Sequence, residues 1–111
     1  MTQAMQCDVA ILGAGAGGLS LAAGAVQMGA RVVLVESGKM GGDCLNYGCV
    51  PSKTLLEAAH SKLSFLDAMA RVHDVIEKLS HHDSVLRFEG LGVHVIQAPG
   101  KFIDKKTLAA G

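Results

Sequence analysis

Residues 7–36 read Cys7-Asp8-Val9-Ala10-Ile11-Leu12-Gly13-Ala14-Gly15-Ala16-Gly17-Gly18-Leu19-Ser20-Leu21-Ala22-Ala23-Gly24-Ala25-Val26-Gln27-Met28-Gly29-Ala30-Arg31-Val32-Val33-Leu34-Val35-Glu36. Cys7 to Leu12 is a short apolar run that stops at glycine, the pattern of a buried parallel strand. Leu19 to Met28 is rich in Ala and Leu and is closed by Gly29, which predicts a helix. Arg31 to Val35 is β-branched and apolar, and predicts a second strand ending in Glu36. Strand, glycine turn, helix and strand compose a right-handed βαβ unit, so the fold class is α/β with a parallel sheet.

The turn inside that unit carries chemistry. Gly13, Gly15 and Gly18 fit G-x-G-x-x-G, and Glu36 stands 23 residues after Gly13. The pattern alone is weak, but here it follows a strand, opens a helix and is followed by an acid at the right distance. The first glycine permits a tight turn, the second lets a pyrophosphate approach the backbone, and the third lets helix and strand pack closely. The helix start offers free N–H groups and partial positive charge to phosphates. Glu36 is placed to accept hydrogen bonds from ribose hydroxyls. The bland alternative is a glycine turn of another α/β fold with Glu36 as a solvated strand end; the context favours a Rossmann-like dinucleotide site.

Further along, Ser37 to Gly42 reads as a loop and Pro51 to Ala59 as helical. Leu63, Leu66, Met69, Val72, Ile76 and Leu79 recur every three or four residues, which predicts an amphipathic helix used for packing. Ser80-His81-His82-Asp83 is expected to interrupt it, with Asp83 capping a short helix through Phe88. Gly90-Leu91-Gly92 should end that helix before a third strand, Val93 to Ile96. Phe102-Ile103-Asp104 reads as a further strand and Lys105-Lys106-Thr107 as a turn.

The 111 residues suffice for one modest domain. Half are apolar but only 4% aromatic, so the core must be small aliphatics in tight Gly/Ala contact. Formal net charge is zero, and without a basic run the case for nucleic acid is low. Val9 to Ala30 is a 22-residue uncharged run that mimics a membrane span. Its many glycines between two β-like ends, and the lack of basic residues before it, argue against both a span and a signal peptide. Three cysteines is an odd count, poor for a secreted disulfide scaffold and better suited to the cytoplasm.

Two of those cysteines lie in Gly41-Gly42-Asp43-Cys44-Leu45-Asn46-Tyr47-Gly48-Cys49-Val50-Pro51-Ser52-Lys53. In a regular helix residues five apart hold their Cα atoms roughly 8–9 Å from each other, whereas a disulfide needs about 7 Å or less. If Cys44 and Cys49 are bonded, the helix must break there, and Gly48 is the residue that can absorb the break. A zinc site would want four ligands, and C-x4-C has no second pair. A single hydrolytic cysteine would need a paired histidine that the sequence does not place. The spacing favours redox exchange. Lys53 follows Cys49 by about one helical turn, near enough to stabilise a thiolate, although without its neighbours it would read as an exposed helix lysine. Cys7 reads as an inert small hydrophobe.

The segment from Gly41 to Lys53 resembles the redox-disulfide signature of the FAD-dependent pyridine nucleotide–disulfide oxidoreductases, and the N-terminal fingerprint stands at the distance that family shows. Cys-Val-Pro-Ser-Lys is most similar to the dihydrolipoamide dehydrogenase and mercuric reductase branch. The resemblance implies that Gly13, Gly15, Gly18 and Glu36 hold the ADP half of FAD. It implies that Gly42, Cys44, Cys49 and Lys53 line the isoalloxazine, with Cys49 as the charge-transfer thiol and Cys44 as the interchange thiol. Cys44 and Cys49 are then expected to form the one disulfide, with Cys7 free. Ala98-Pro99-Gly100-Lys101-Phe102 resembles a G-x-G-K-F segment whose backbone, at Gly100, would contact the adenine side. Ala98 and Pro99 depart from that pattern. Asp43 stands where the family usually has threonine, and an acid there would repel phosphate unless it points away.

The implied activity is electron transfer from NAD(P)H through FAD to the cysteine pair and on to a disulfide or metal-ion substrate, in a cytoplasmic homodimer. The second fingerprint for NAD(P)H, a later aspartate of the FAD site and a dimer domain with a His–Glu pair are not in these residues. Residues 1–111 are therefore expected to be the N-terminal part of the FAD-binding domain and inactive alone. The alternative is a stand-alone dinucleotide-binding module with a regulatory disulfide and no turnover.

Overall fold

A computed structural model describes residues 3–111. Three strands, β1 (Val9–Leu12), β2 (Val32–Glu36) and β3 (His94–Gln97), form a parallel sheet in the order β1-β2-β3. Val9 lies opposite Val32 and Ile11 opposite Leu34, while Leu34 lies opposite Val95 and Glu36 opposite Gln97. Helix α1 (Ala16–Gln27) joins β1 to β2 and turns Leu19 and Ala22 onto the sheet. Helix α5 (Val85–Leu91) precedes β3, packs beside α1 and inserts Phe88. The core on this face is Ile11, Ala14, Leu19, Ala22, Val32, Leu34, Phe88, Val93 and Val95. It is aliphatic apart from Phe88, as the aromatic-poor composition requires. Burying Phe88 or Leu34 contributes about 1.5–3 kcal/mol each.

The strands alternate, so Leu12 and Val35 turn to the opposite face. A hairpin of β4 (Gly100–Asp104) and β5 (Thr107–Ala110) lies against them. A Cβ at Gly100 would come within 2.8 Å of Leu12 and 2.9 Å of Val35, so only glycine lets the hairpin sit this close. Cover on this face is partial: Ala10 is exposed and Leu12 is 44% exposed.

Between β2 and α5 come α2 (Gly42–Asn46), α3 (Cys49–His60) and α4 (Phe65–His82). Helices α3 and α4 pack on each other through Thr54, Ala58, Ala68 and Val72. Lys62, at φ 58°, makes the turn between them. Ser64 caps α4 by accepting from the Asp67 N–H at 3.2 Å. Among the described residues no helix is long and apolar enough to cross a membrane. The uncharged run from Val9 to Ala30 is consumed by β1, the glycine turn and α1.

The element types follow the sequence, and several boundaries move. Strand β1 starts at Val9, and Asp8 before it turns its carboxylate to the Arg31 N–H at 2.8 Å. Helix α1 starts at Ala16, inside the glycine motif, with Gly15 as its N-cap. Ser80-His81-His82 does not interrupt α4. Ser80 turns its hydroxyl back to the Glu77 carbonyl at 2.6 Å and stays helical. Asp83 ends α4, and Ser84 rather than Asp83 caps α5 by accepting from the Arg87 N–H at 3.2 Å. Gly92, left-handed at φ 105°, closes α5. The turn of the last hairpin is Lys105-Lys106, and Thr107 already belongs to β5, a strand the sequence did not announce.

Candidate functional site: the glycine turn and the disulfide helix

The β1–α1 turn is built by its glycines. Gly13 takes φ 106°, a left-handed conformation that favours glycine, and its N–H donates to the Val35 carbonyl at 2.8 Å. A Cβ on Gly18 would overlap the Gly13 carbonyl oxygen, so the first and third glycines of the motif pack on each other. At Gly15 a Cβ would meet nothing within 4 Å and would project into open space. That space is a cleft of about 400 Å³ lined by Gly15, Glu36, Gly38, Lys39, Gly42, Asp43, Asn46 and Tyr47.

Glu36 leaves the end of β2 and turns its carboxylate to this turn. Oε1 accepts from the Ala14 N–H at 2.8 Å and Oε2 from the Gly38 N–H at 2.7 Å. Both oxygens are thereby oriented, while each keeps a further lone pair for a ligand hydroxyl. The Ala14 and Gly38 amides are site groups the sequence reading missed. Backbone donors leave no residue-type signal.

Helix α2 is seated on the same turn. The Gly41 N–H donates to the Ala14 carbonyl at 2.8 Å. A Cβ on Gly42 would stand 2.7 Å from the Gly15 Cα, and Gly42 has φ 67°, so the position demands glycine twice over. Asn46 ties the loop down, donating to the carbonyls of Gly42 at 2.8 Å and Met40 at 3.3 Å. Asn46 was not singled out from the sequence; its place four residues after Gly42 was the available sign.

Helix α2 ends at Asn46, with Tyr47 as its cap. Gly48, at φ −116° and ψ −114°, leaves helical geometry, and α3 restarts at Cys49. The break brings the Cα atoms of Cys44 and Cys49 to 4.9 Å, and the two are disulfide-bonded. Cys7 is free and half-buried. Pro51 sits in the first turn of α3, where its missing N–H costs no helical bond.

The structure thus gathers Gly15, Glu36 and Gly42 about one cleft, with Gly13 and Gly18 packed on each other in the turn that carries Gly15. Cys44 lines a second cavity of about 290 Å³, between α1 and the end of α4. Cys49 and Lys53 line neither; both are exposed on α3. Gly100 lies at the C-terminal ends of β1 and β2, beside Leu12 and Val35. Asp43 lines the cleft beside the glycine turn and is exposed. Among the described residues no cluster of His, Cys, Asp and Glu is arranged to hold a metal ion.

Residues 7–111 match the family described as pyridine nucleotide-disulphide oxidoreductase. The chain belongs to this family. Within the pyridine nucleotide-disulphide oxidoreductases, it is 32% identical over 94% of its length to dihydrolipoyl dehydrogenase of Staphylococcus aureus, covering 26% of that protein. It is 31% identical over 91% of its length to mercuric reductase of Bacillus cereus, covering 19% of that protein. The HOCl-induced flavoprotein disulfide reductase RclA from Escherichia coli, solved as a Cu(II) complex, superposes with a TM-score of 0.87 at 28% identity. That match covers 97% of this chain and 25% of RclA. The chain thus spans about a quarter or less of these relatives' length. The fold is the N-terminal, Rossmann-like part of the flavoprotein disulfide reductase fold.

Proposed function

We propose that residues 1–111 are the N-terminal part of the FAD-binding domain of a flavoprotein disulfide oxidoreductase. The observation that carries this reading is the seating of α2 on the glycine turn, with Gly42 against Gly15. The dinucleotide turn and the disulfide helix are one packed unit, so a ligand in the cleft lies next to the helix that bears Cys44. The residues present fit FAD: Gly15 leaves room where a Cβ would project, Glu36 offers oriented carboxylate oxygens, and the cleft volume suits a small-molecule site.

In this proposal Gly13, Gly15, Gly18 and Glu36 hold the ADP half, and backbone at Gly100 faces the adenine side. Gly42, Cys44, Cys49 and Lys53 serve the redox end. FAD, when bound, supplies the exchange of two electrons between a nicotinamide nucleotide and the cysteine pair. The chain's own part is thiol chemistry. With the pair reduced, the Cys44 thiolate attacks one sulfur of a substrate disulfide and expels the other as a thiol. The Cys49 thiolate then displaces the bound half from Cys44, restoring the Cys44–Cys49 bond and releasing the second thiol. Lys53, one helical turn on from Cys49, brings a positive charge to the redox end. For the whole protein we propose NAD(P)H as electron donor, a homodimer, the cytoplasm, and a disulfide or metal ion as acceptor.

The test is to purify the full gene product and assay NADH- and NADPH-dependent reduction of lipoamide, glutathione disulfide and mercuric ion. Bound flavin and turnover of at least one acceptor are expected, with turnover lost in Cys44→Ser and in Cys49→Ser. Turnover unaffected by either substitution would refute the role of the pair. Bound flavin without turnover would favour a binding module with a regulatory disulfide.

A further inference from the structure

The dinucleotide cleft has a charge problem. It is lined by two acids, Glu36 and Asp43, and a bound diphosphate would add more negative charge. Among the described residues lining it, Lys39 is the only base. Its ammonium stands over the ring of Tyr47, 5.5 Å from the centroid, within the range of a cation–π contact. Tyr47 is 69% exposed yet lines the cleft with Gly15.

The backbone on either side of Lys39 is fixed by other cleft residues. The Gly38 N–H is held by Glu36 Oε2 at 2.7 Å, and the Met40 carbonyl accepts from Asn46 at 3.3 Å. Tyr47 is anchored through its own N–H, which donates to the Asp43 carbonyl at 2.8 Å. A long, flexible lysine on a pinned backbone, steadied by an aromatic face, keeps its charge at the cleft at a reduced entropic cost.

We infer that Lys39, carried on the ring of Tyr47, is the side-chain counter-charge for the diphosphate of the dinucleotide. It offsets the Asp43 carboxylate so that an anion can enter. This rests on the FAD reading above. It also gives Asp43 a place: an acid beside the phosphate position is tolerable where a base lining the same cleft neutralises it.

The experiment measures binding, not turnover. The apoprotein of the full gene product is titrated with FAD, ADP and adenosine by calorimetry, at about 0.05 and 0.5 M salt. Lys39→Met should weaken FAD and ADP by about tenfold, the size of one charge-assisted contact, and adenosine by less than about twofold. It should also flatten the salt dependence. Lys39→Arg should restore most of the affinity, Tyr47→Phe should retain it, and Tyr47→Leu should lose part of it. Equal losses for ADP and adenosine, or FAD affinity within about twofold of the parent in Lys39→Met, would overturn the inference. A parent that binds neither FAD nor ADP would overturn the FAD reading itself, and this inference with it.

Discussion

Gly42→Ala should separate the two halves of the site. Gly42 sits at φ 67°, where an L-residue costs about 1–2 kcal/mol. Its new Cβ would stand 2.7 Å from the Gly15 Cα, where ordinary contact begins near 3.4 Å. The helix must therefore retreat by about 0.7 Å or the turn must yield, because the obstacle is backbone and cannot swing aside. Retreat also stretches the hydrogen bond from Gly41 to Ala14, now 2.8 Å, which is worth about 0.5–1.5 kcal/mol. We expect a loss of about 2–3 kcal/mol in stability, a fall in Tm of roughly 10 °C, and weaker FAD binding.

Gly24→Ala is the control. Gly24 lies inside α1 with nothing within 4 Å of a would-be Cβ. There alanine should stabilise by about 0.5–1 kcal/mol. Urea unfolding followed by circular dichroism, with and without FAD, reads both variants. A Gly42→Ala protein with the parent's midpoint and FAD affinity would refute the claim that the two segments form one packed unit. So would equal destabilisation by Gly24→Ala.

Glu36→Ala removes the acceptor of two backbone amides as well as the proposed ligand for ribose hydroxyls. It should weaken FAD binding in the full gene product by about 1.5–3 kcal/mol, read as flavin retained on gel filtration at matched concentration. Unchanged retention would return Glu36 to a structural role. The Arg31 N–H, with the guanidinium beside it, holds the Asp8 carboxyl below its usual range. The stabilisation from this contact is present above the ordinary carboxylate value and is lost as pH falls through the lowered folded value. Carboxyl-carbon NMR should find Asp8 still depressed in Arg31→Ala, because the backbone donor dominates; an ordinary value there would contradict that assignment.

The parts legible in the sequence are those where one residue type has one physical use. Gly13 and Gly18 announced the turn because its left-handed φ and its backbone packing admit no side chain there, Gly15 because it leaves open space at the turn, and the β-branched run before Glu36 announced β2. The conditional break between Cys44 and Cys49 was legible as geometry, and Gly48 is where it falls. Ser80 and the two histidines after it misled, because Ser80 satisfies its hydroxyl inside the helix on the Glu77 carbonyl and two exposed histidines are tolerated in its last turn. Strand β5 was hidden because Leu108-Ala109-Ala110 has little strand propensity of its own and forms by pairing with β4. Lys39 and Tyr47 were not legible as a pair: their meeting depends on the turn between Gly41 and Gly42, where both glycines take positive φ.

The central proposal is that one FAD, its ADP half on the glycine turn, brings its flavin into electronic contact with the Cys44–Cys49 pair in the full gene product. An anaerobic reductive titration of the full gene product with dithionite tests it most directly. The account predicts about four electrons per bound flavin, two for the flavin and two for the disulfide, falling to about two in Cys44→Ser. An uptake of about two electrons in the parent, or a purified protein that binds no flavin, would contradict it.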